Sequence, residues 1–459
     1  MRRWDALKVS RLAGARLLGG LPKGGSGPER TTIDSRDAGS GALFVGLPGE
    51  REHGGSYGPD AVAAGAWGVL TSPEHAQATL ASVDRLGQAH PPAILAAVDP
   101  LDALQRLATA WRRELGARVI GITGSTGKTS TKDMLAAVLA PHRLTVASRA
   151  NYNTEIGLPL EILTAPAGTE VLVLEMGMRG PGQIAELARV AEPDVGVIVS
   201  IGPVHLEQLG TIDAIVAAKA ELIDGLPAGG TAILPADEPR LGPRRRSDTS
   251  TLTFGPGGDV TMVGETDDAV EIDCSGERLL LTVDFSESHL RRDLLAAVAA
   301  AKAVGVRAGG HLHMTLSPGR GQRTLLPGGV TLIDDAYNAN PVSMRAALEE
   351  LAATAARIGA ARRMAVLGDM RELGADARRY HVEIGAHAAS TTDVLVTVGP
   401  LAASMADRFG GEHHHADDAA DAAALVSDLL RDGDVVLVKA SNAVGLQHVC
   451  EVLRAGAPA

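Results

Sequence analysis

The sequence predicts an α/β protein of three domains: a small N-terminal α/β unit, a central parallel sheet carrying a phosphate loop, and a C-terminal Rossmann-like unit. Three observations lead there. The chain has 459 residues, room for roughly three cores at about 150 residues per domain. From Arg118 onward, short apolar runs, Gly-rich turns and helical patterns alternate, the rhythm of a parallel sheet covered on both faces. One apolar run is followed by a Gly-rich segment ending in Gly-Lys-Thr-Ser that opens a helix.

The first domain is expected over residues 1–87, with a strand at 42–45 between Gly-rich turns. A polar, Pro-containing stretch at 88–92 then leads into a helix over 101–115 and the second domain, 88–308. Continuous apolar runs at 119–123, 171–175 and 195–201 read as strands buried on both faces. Residues 259–285 alternate like antiparallel strands, and a helix over 290–304 ends before Gly309-Gly310. The third domain, 309–459, has strands at 330–335, 364–367, 394–398 and 435–438.

Composition excludes several classes. With 45% hydrophobic and 21% charged residues the chain matches a soluble globular protein. A net charge of −12 leaves no broad basic surface, so nucleic acid is not an expected partner. Focused cations and helix N-termini can still bind small anions. Cys274 and Cys450 stand far apart and form no disulfide framework, which fits a reducing, cytoplasmic location. The first 21 residues hold no signal-peptide core, and no run approaches the ~20 apolar residues of membrane insertion.

The segment from Gly124 through Ser125, Thr126, Gly127, Lys128 and Thr129 to Ser130 is the main chemical signal. Its glycines let backbone N–H groups converge on the phosphates of ATP, Lys128 can reach the β/γ-phosphates, and the Thr129 hydroxyl can ligate Mg²⁺. The alternative is a Gly-rich turn without a ligand. Ile122 stands where the strict pattern wants glycine, so the loop is a variant. Glu175, at a strand end, suits a Mg²⁺ ligand beside such a loop, or is a solvated acid. His205 can bind a metal through neutral imidazole, although a lone histidine is more often structural. Lys219, on a helix, reads by itself as a solvated cation. His413-His414-His415 reads as a surface loop, since consecutive residues rarely converge on one ion.

The loop variant Thr123-Gly124-Ser125-Thr126-Gly127-Lys128-Thr129-Ser130 resembles that of the Mur ligases and their folylpolyglutamate synthetase relatives. So do Asn151-Tyr152-Asn153-Thr154-Glu155-Ile156-Gly157-Leu158-Pro159, Glu175-Met176-Gly177, Gly202-Pro203-Val204-His205-Leu206-Glu207 and Ala218-Lys219-Ala220-Glu221. The resemblance continues through Asp334-Asp335-Ala336-Tyr337-Asn338-Ala339-Asn340-Pro341 and Leu367-Gly368-Asp369-Met370-Arg371-Glu372-Leu373-Gly374, and spans essentially the whole chain.

The resemblance implies an ATP-dependent ligase working through an acyl phosphate. It implies two Mg²⁺ held by Thr129, Glu175, His205 and a carbamylated Lys219, with Lys128, Lys219 and His205 as catalytic residues. Arg320, Asn338 and Asn340 would contact the nucleotide. Ser35 and Arg36, in an Asp-Ser-Arg segment, would meet the uridine end of a substrate, with Asn151 and Asn153 as further substrate contacts. The Tyr-Asn-Ala-Asn-Pro and Leu-Gly-Asp-Met-x-Glu-Leu-Gly strings are similar to those of the branch that adds D-alanyl-D-alanine to a UDP-linked muramoyl tripeptide. A monomer is expected. The chain departs from the family's Lys-Gly-Ser-Arg and later Glu, having Lys439-Ala440-Ser441-Asn442 and Gln447.

Overall fold

Each apolar run pairs with neighbours in one of three sheets. The computed structural model describes residues 1, 3–20, 27–86, 91–149, 151–266, 268–314, 317 and 319–456. The expected first boundary, 87/88, lies outside the described residues.

The first sheet runs, in spatial order, Arg16–Gly19, Ala93–Ala96, Gly68–Thr71, Ala42–Gly46, Arg30–Thr32, and all pairs but the first are parallel. Ala93–Ala96 thus belongs to the first sheet, although it follows residue 87. It is a fully buried strand paired on both sides, and four apolar residues after two prolines carry no sign of which sheet they join. The helix Pro100–Leu115 buries Trp111 against Trp4, ring centroids 5.5 Å apart edge to face, so one core runs from the first unit into the central one.

The central sheet has ten strands among the described residues. Arg118–Thr123 lies inside it, parallel to Val171–Glu175 on one side and Val195–Ile198 on the other. The chain therefore leaves that strand toward one edge and later returns toward the other. This switch opens a crevice at the strands' C-terminal ends, where α/β sheets bind ligands. Beyond Val195–Ile198 come Thr231–Pro235 and Ser250–Phe254, then Val260–Glu265, Ala269–Cys274 and Glu277–Val283, which pair antiparallel as the alternating pattern predicts. Gly310–Leu312 pairs parallel with Glu277–Val283, so the central sheet extends past residue 308. Helices Lys128–Leu139 and Ser288–Ala303 share one hydrophobic core beneath this sheet; residues 294–301 of the second are buried without exception.

The third sheet runs Gln322–Leu325, Thr331–Asp334, Asp434–Lys439, Arg362–Gly368, Val394–Val398, Glu412–Ala416, parallel except at its first strand. His413-His414-His415 is therefore an edge strand and not a loop. His413 Nε2 and His415 Nδ1, two residues apart and so on one face, each lie 3.0 Å from the Thr397 hydroxyl of the neighbouring strand.

The turn after Arg362–Gly368 is anchored residue by residue. Asp369, buried, accepts hydrogen bonds from the backbone N–H groups of Leu401 (2.9 Å) and Ala402 (2.8 Å). Met370 N–H donates to His381 Nε2 and Arg371 N–H to the Ser441 hydroxyl. Asp369→Ala strips a charged acceptor from two backbone donors and is expected to cost about 2–3 kcal/mol, read as a lowered urea midpoint; an unchanged midpoint contradicts the anchoring.

Candidate active site

The phosphate loop is shaped by close approach. Gly127 caps the helix Lys128–Leu139 with φ 81°, and a Cβ there would fall 2.3 Å from Asp293 Oδ1. Only glycine meets both conditions. The loop is also stapled to the end of the neighbouring strand. Thr126 N–H donates to the Ser200 hydroxyl (2.9 Å), which donates back to the Thr126 carbonyl (2.9 Å), while the Ser125 hydroxyl donates to the Gly202 carbonyl (3.0 Å).

Beneath the loop Thr129, Glu175 and Asn153 converge. The Thr129 hydroxyl donates to one Glu175 carboxylate oxygen (2.9 Å) and the Asn153 amide to the other (2.8 Å), with Glu175 3% exposed. Asn153, expected among the substrate contacts, is thus held against the carboxylate. Its turn folds back over Gly177, whose N–H donates to the Asn153 carbonyl at 2.8 Å.

Lys128 folds back on its own loop, donating to the Gly124 carbonyl at 2.8 Å. Burial lowers its pKa, partly offset by Glu175, while Arg320 lowers it further. Lys219, on the helix Ile212–Asp224, is 2% exposed; burial pushes its pKa well below the ordinary lysine value and the charge of Lys128 adds to this. Lys219 is therefore buried, unlike the solvated cation that the residue by itself suggests.

Arg320 comes from the third unit, lies over the Tyr337 ring at 4.0 Å and reaches the Thr129 hydroxyl at 3.4 Å. A cavity of about 440 Å³ opens above, lined by residues 125–130 on one side and by Arg320, Asn338 and Asn340 on the other. Asn340 is committed locally: its side chain accepts from the N–H groups of Val342 and Ser343 (both 3.0 Å), capping the helix Pro341–Ile358.

His205 is placed differently. Its Nδ1 meets the Glu372 carboxylate of the third unit, and this contact holds the Glu372 carboxyl below its usual range. Ser35 and Arg36 line a second cleft, about 760 Å³, with Tyr57, Arg149 and Tyr152. Arg36 pairs with Asp34, drawing that carboxyl down to about 2. Asn151 is exposed on the turn beside this cleft.

Sequence reasoning missed several residues. Asp293 lies against the loop glycine, and burial raises its pKa well above the usual range despite Arg292. His289 lines the same cavity, its pKa lowered by burial. Neither carries a motif; only the turn of the helix Ser288–Ala303 toward the loop brings them in. The neutral pair at the C-terminus also has an account: Gln447 donates its amide to the Asn442 side-chain oxygen (2.7 Å), so two uncharged groups satisfy one another there.

A strand-end phosphate loop joined to a buried carboxylate, with cations from two units around it, defines a nucleotide-phosphate site on an α/β scaffold. The Mur ligase middle domain matches residues 122–301, and the glutamate ligase domain of the Mur ligases matches residues 319–442. The chain belongs to the Mur ligase family. It is similar to the UDP-N-acetylmuramoyl-tripeptide--D-alanyl-D-alanine ligases of Bacillus subtilis, 35% identical over 92% of each chain, and Mycobacterium tuberculosis, 38% identical over 92% of this chain and 91% of the relative. Among solved structures it is similar to MurF from Acinetobacter baumannii (TM-score 0.84, 26% identity, 98% and 99% of the two chains). It is also similar to MurF ligase from Thermotoga maritima in complex with ADP (TM-score 0.78, 28% identity, 93% and 97%).

Lys128→Ala is expected to lower ATP turnover on the order of 10²–10³-fold, as loss of one preorganised donor does at a transferring charge. Phosphate release near wild type from a variant folded by circular dichroism would contradict the loop's role.

Proposed function

We propose that this chain is an ATP-dependent amide ligase that joins D-alanyl-D-alanine to UDP-N-acetylmuramoyl-tripeptide in peptidoglycan precursor synthesis. The observation that carries the reading is the junction of Thr129 and Glu175 beneath the phosphate loop, in a chain similar along its length to ligases of that name. A carboxylate is a poor acyl donor at neutral pH. The tripeptide carboxylate attacks the γ-phosphorus of ATP and ADP leaves with its bond electrons, giving an acyl phosphate. The dipeptide amine then adds to the acyl carbon, phosphate departs and the amine loses a proton.

Lys128 on the loop and Arg320 beside Thr129 are the cations that would meet the charge spreading over the γ-phosphoryl group and favour the transition state over the ground state. The donors Thr129 and Glu175 are hard oxygens, the set that Mg²⁺ takes. Bound there, Mg²⁺ supplies positive charge over the transferring group. Lys219 suits carbamylation, because burial favours the neutral amine that adds CO₂; the resulting anion and His205 would be the residues to hold a second ion. Ser35 and Arg36 hold the uridine end, Asn338 contacts the nucleotide, and the third unit closes the cleft. Among the described residues no helix is long and apolar enough to cross a membrane.

Phosphate release with UDP-N-acetylmuramoyl-tripeptide should be faster with D-alanyl-D-alanine than with L-alanyl-L-alanine; equal rates, or activity with glutamate alone, would move the chain to another branch.

Lys219→Ala should lose on the order of 10²-fold in turnover, since an anionic ligand leaves a phosphoryl-transfer site, and acetate at constant ionic strength should restore part of it. ¹³C-bicarbonate should label a carbamate in the native chain and not in the variant. Full activity of Lys219→Ala, or no carbamate signal in the native chain, refutes that role.

A further inference from the structure

Four non-glycine residues among those described have left-handed backbone: Glu192, His205, Ser275 and Glu372. Two of them touch each other across the junction of two units. His205 (φ 54°) follows the strand Val195–Ile198 of the central sheet, and Glu372 (φ 63°) follows Arg362–Gly368 of the third. Side chains with a Cβ avoid this conformation, so its persistence at both ends of one contact points to a constraint beyond either turn.

Both turns are held from several sides. Leu209 N–H donates to the His205 carbonyl at 3.0 Å, and the Met370 and Arg371 N–H groups are bound by His381 and Ser441. The turns also meet through backbone, Glu207 N–H donating to the Glu372 carbonyl at 3.2 Å. Gly374 sits so close that a Cβ on it would lie 3.3 Å from Glu207 Cα. The third unit thus fits one rigid turn onto another, and the fit delivers the Glu372 carboxylate to Nδ1 of His205, with Arg179 3.7 Å from its other oxygen.

An ionised carboxylate only accepts hydrogen bonds, so a neutral His205 in this contact carries its proton on Nδ1. Nε2 is then bare, the one ring atom with a lone pair for a cation. Metal-ligating histidines are oriented this way, the second nitrogen donating to a carboxylate that fixes the tautomer.

We propose that Glu372 is a positioning residue: packing of the third unit on the central one places it on His205 and sets the tautomer that offers Nε2 to a divalent cation. This rests on the metal role of His205 given above. It couples the fit between units to the competence of the metal site, and it assigns Glu372 a task distinct from an interdomain ion pair. An ion pair needs the charge of Glu372; positioning needs an acceptor oxygen.

The test compares Glu372→Ala, Glu372→Gln and His205→Ala in the full chain. Histidine-selective ¹⁵N labelling reads the tautomer, the His205 signal being the one lost in His205→Ala. Electron paramagnetic resonance reads Mn²⁺ binding with a non-hydrolysable ATP analogue. The native chain should carry the His205 proton on Nδ1. Glu372→Ala should shift it to Nε2 and weaken the second Mn²⁺ on the order of 10–100-fold, whereas Glu372→Gln, which keeps an acceptor without the charge, should stay near the native chain in both readouts. An unchanged tautomer or unchanged Mn²⁺ affinity in Glu372→Ala overturns the proposal, as does Glu372→Gln behaving like Glu372→Ala. Native Mn²⁺ affinity in His205→Ala overturns it at a different point, by removing the metal role of His205 itself.

Discussion

Lys219 is held out of water, and Lys128 sits half-buried on the phosphate loop near one buried carboxylate, Glu175. Desolvation disfavours the charged form of each lysine, and the charge of Lys128 lowers the pKa of Lys219 further. A triphosphate relieves this arrangement by bringing the anion that the cations lack. On the proposed reading, carbamylation would relieve it differently, by turning Lys219 into an anion. The site is thus electrostatically incomplete by construction, which suits a centre whose substrate supplies most of the negative charge.

The scaffold holds that arrangement in place. Arg118–Thr123 is buried between two parallel neighbours, and the reversal of strand order beside it opens the crevice. The loop cannot sag, because Ser200 and Gly202 hold Thr126 and Ser125. Gly127 lets the helix Ser288–Ala303 come close enough for Asp293 to touch the loop. A loop so fixed needs little reorganisation when phosphate arrives, and preorganised donors act most strongly on developing charge.

The remaining machinery arrives from the third unit. Arg320 reaches Thr129 while stacked on Tyr337, and Glu372 reaches His205 from an anchored turn. Lys439, buried, spans from its strand to Asp335 (2.5 Å) and the Asn338 carbonyl (3.0 Å), fixing the segment that faces the nucleotide cavity. These contacts make the charge arrangement around the cavity depend on how the units meet, since neither the central nor the third unit holds all the charges alone.

What the sequence determined by itself is whatever depends on neighbours in the chain. The apolar runs at 119–123, 171–175 and 394–398 became strands because continuous apolar stretches suit a sheet buried on both faces. The loop from Gly124 to Ser130 was legible because glycine, lysine and threonine act there at fixed short spacing. Tertiary structure decided the rest. Ala93–Ala96 and Gly310–Leu312 joined sheets across the expected boundaries, because strand pairing is set by partners distant in sequence. His413-His414-His415 became an edge strand through pairing with Val394–Val398. Asn153 went to Glu175, 22 residues away, Asp293 to Gly127, and Glu372 to His205, 167 residues away. No local pattern encodes such meetings; they follow from which faces the three cores bury and where the strand order turns.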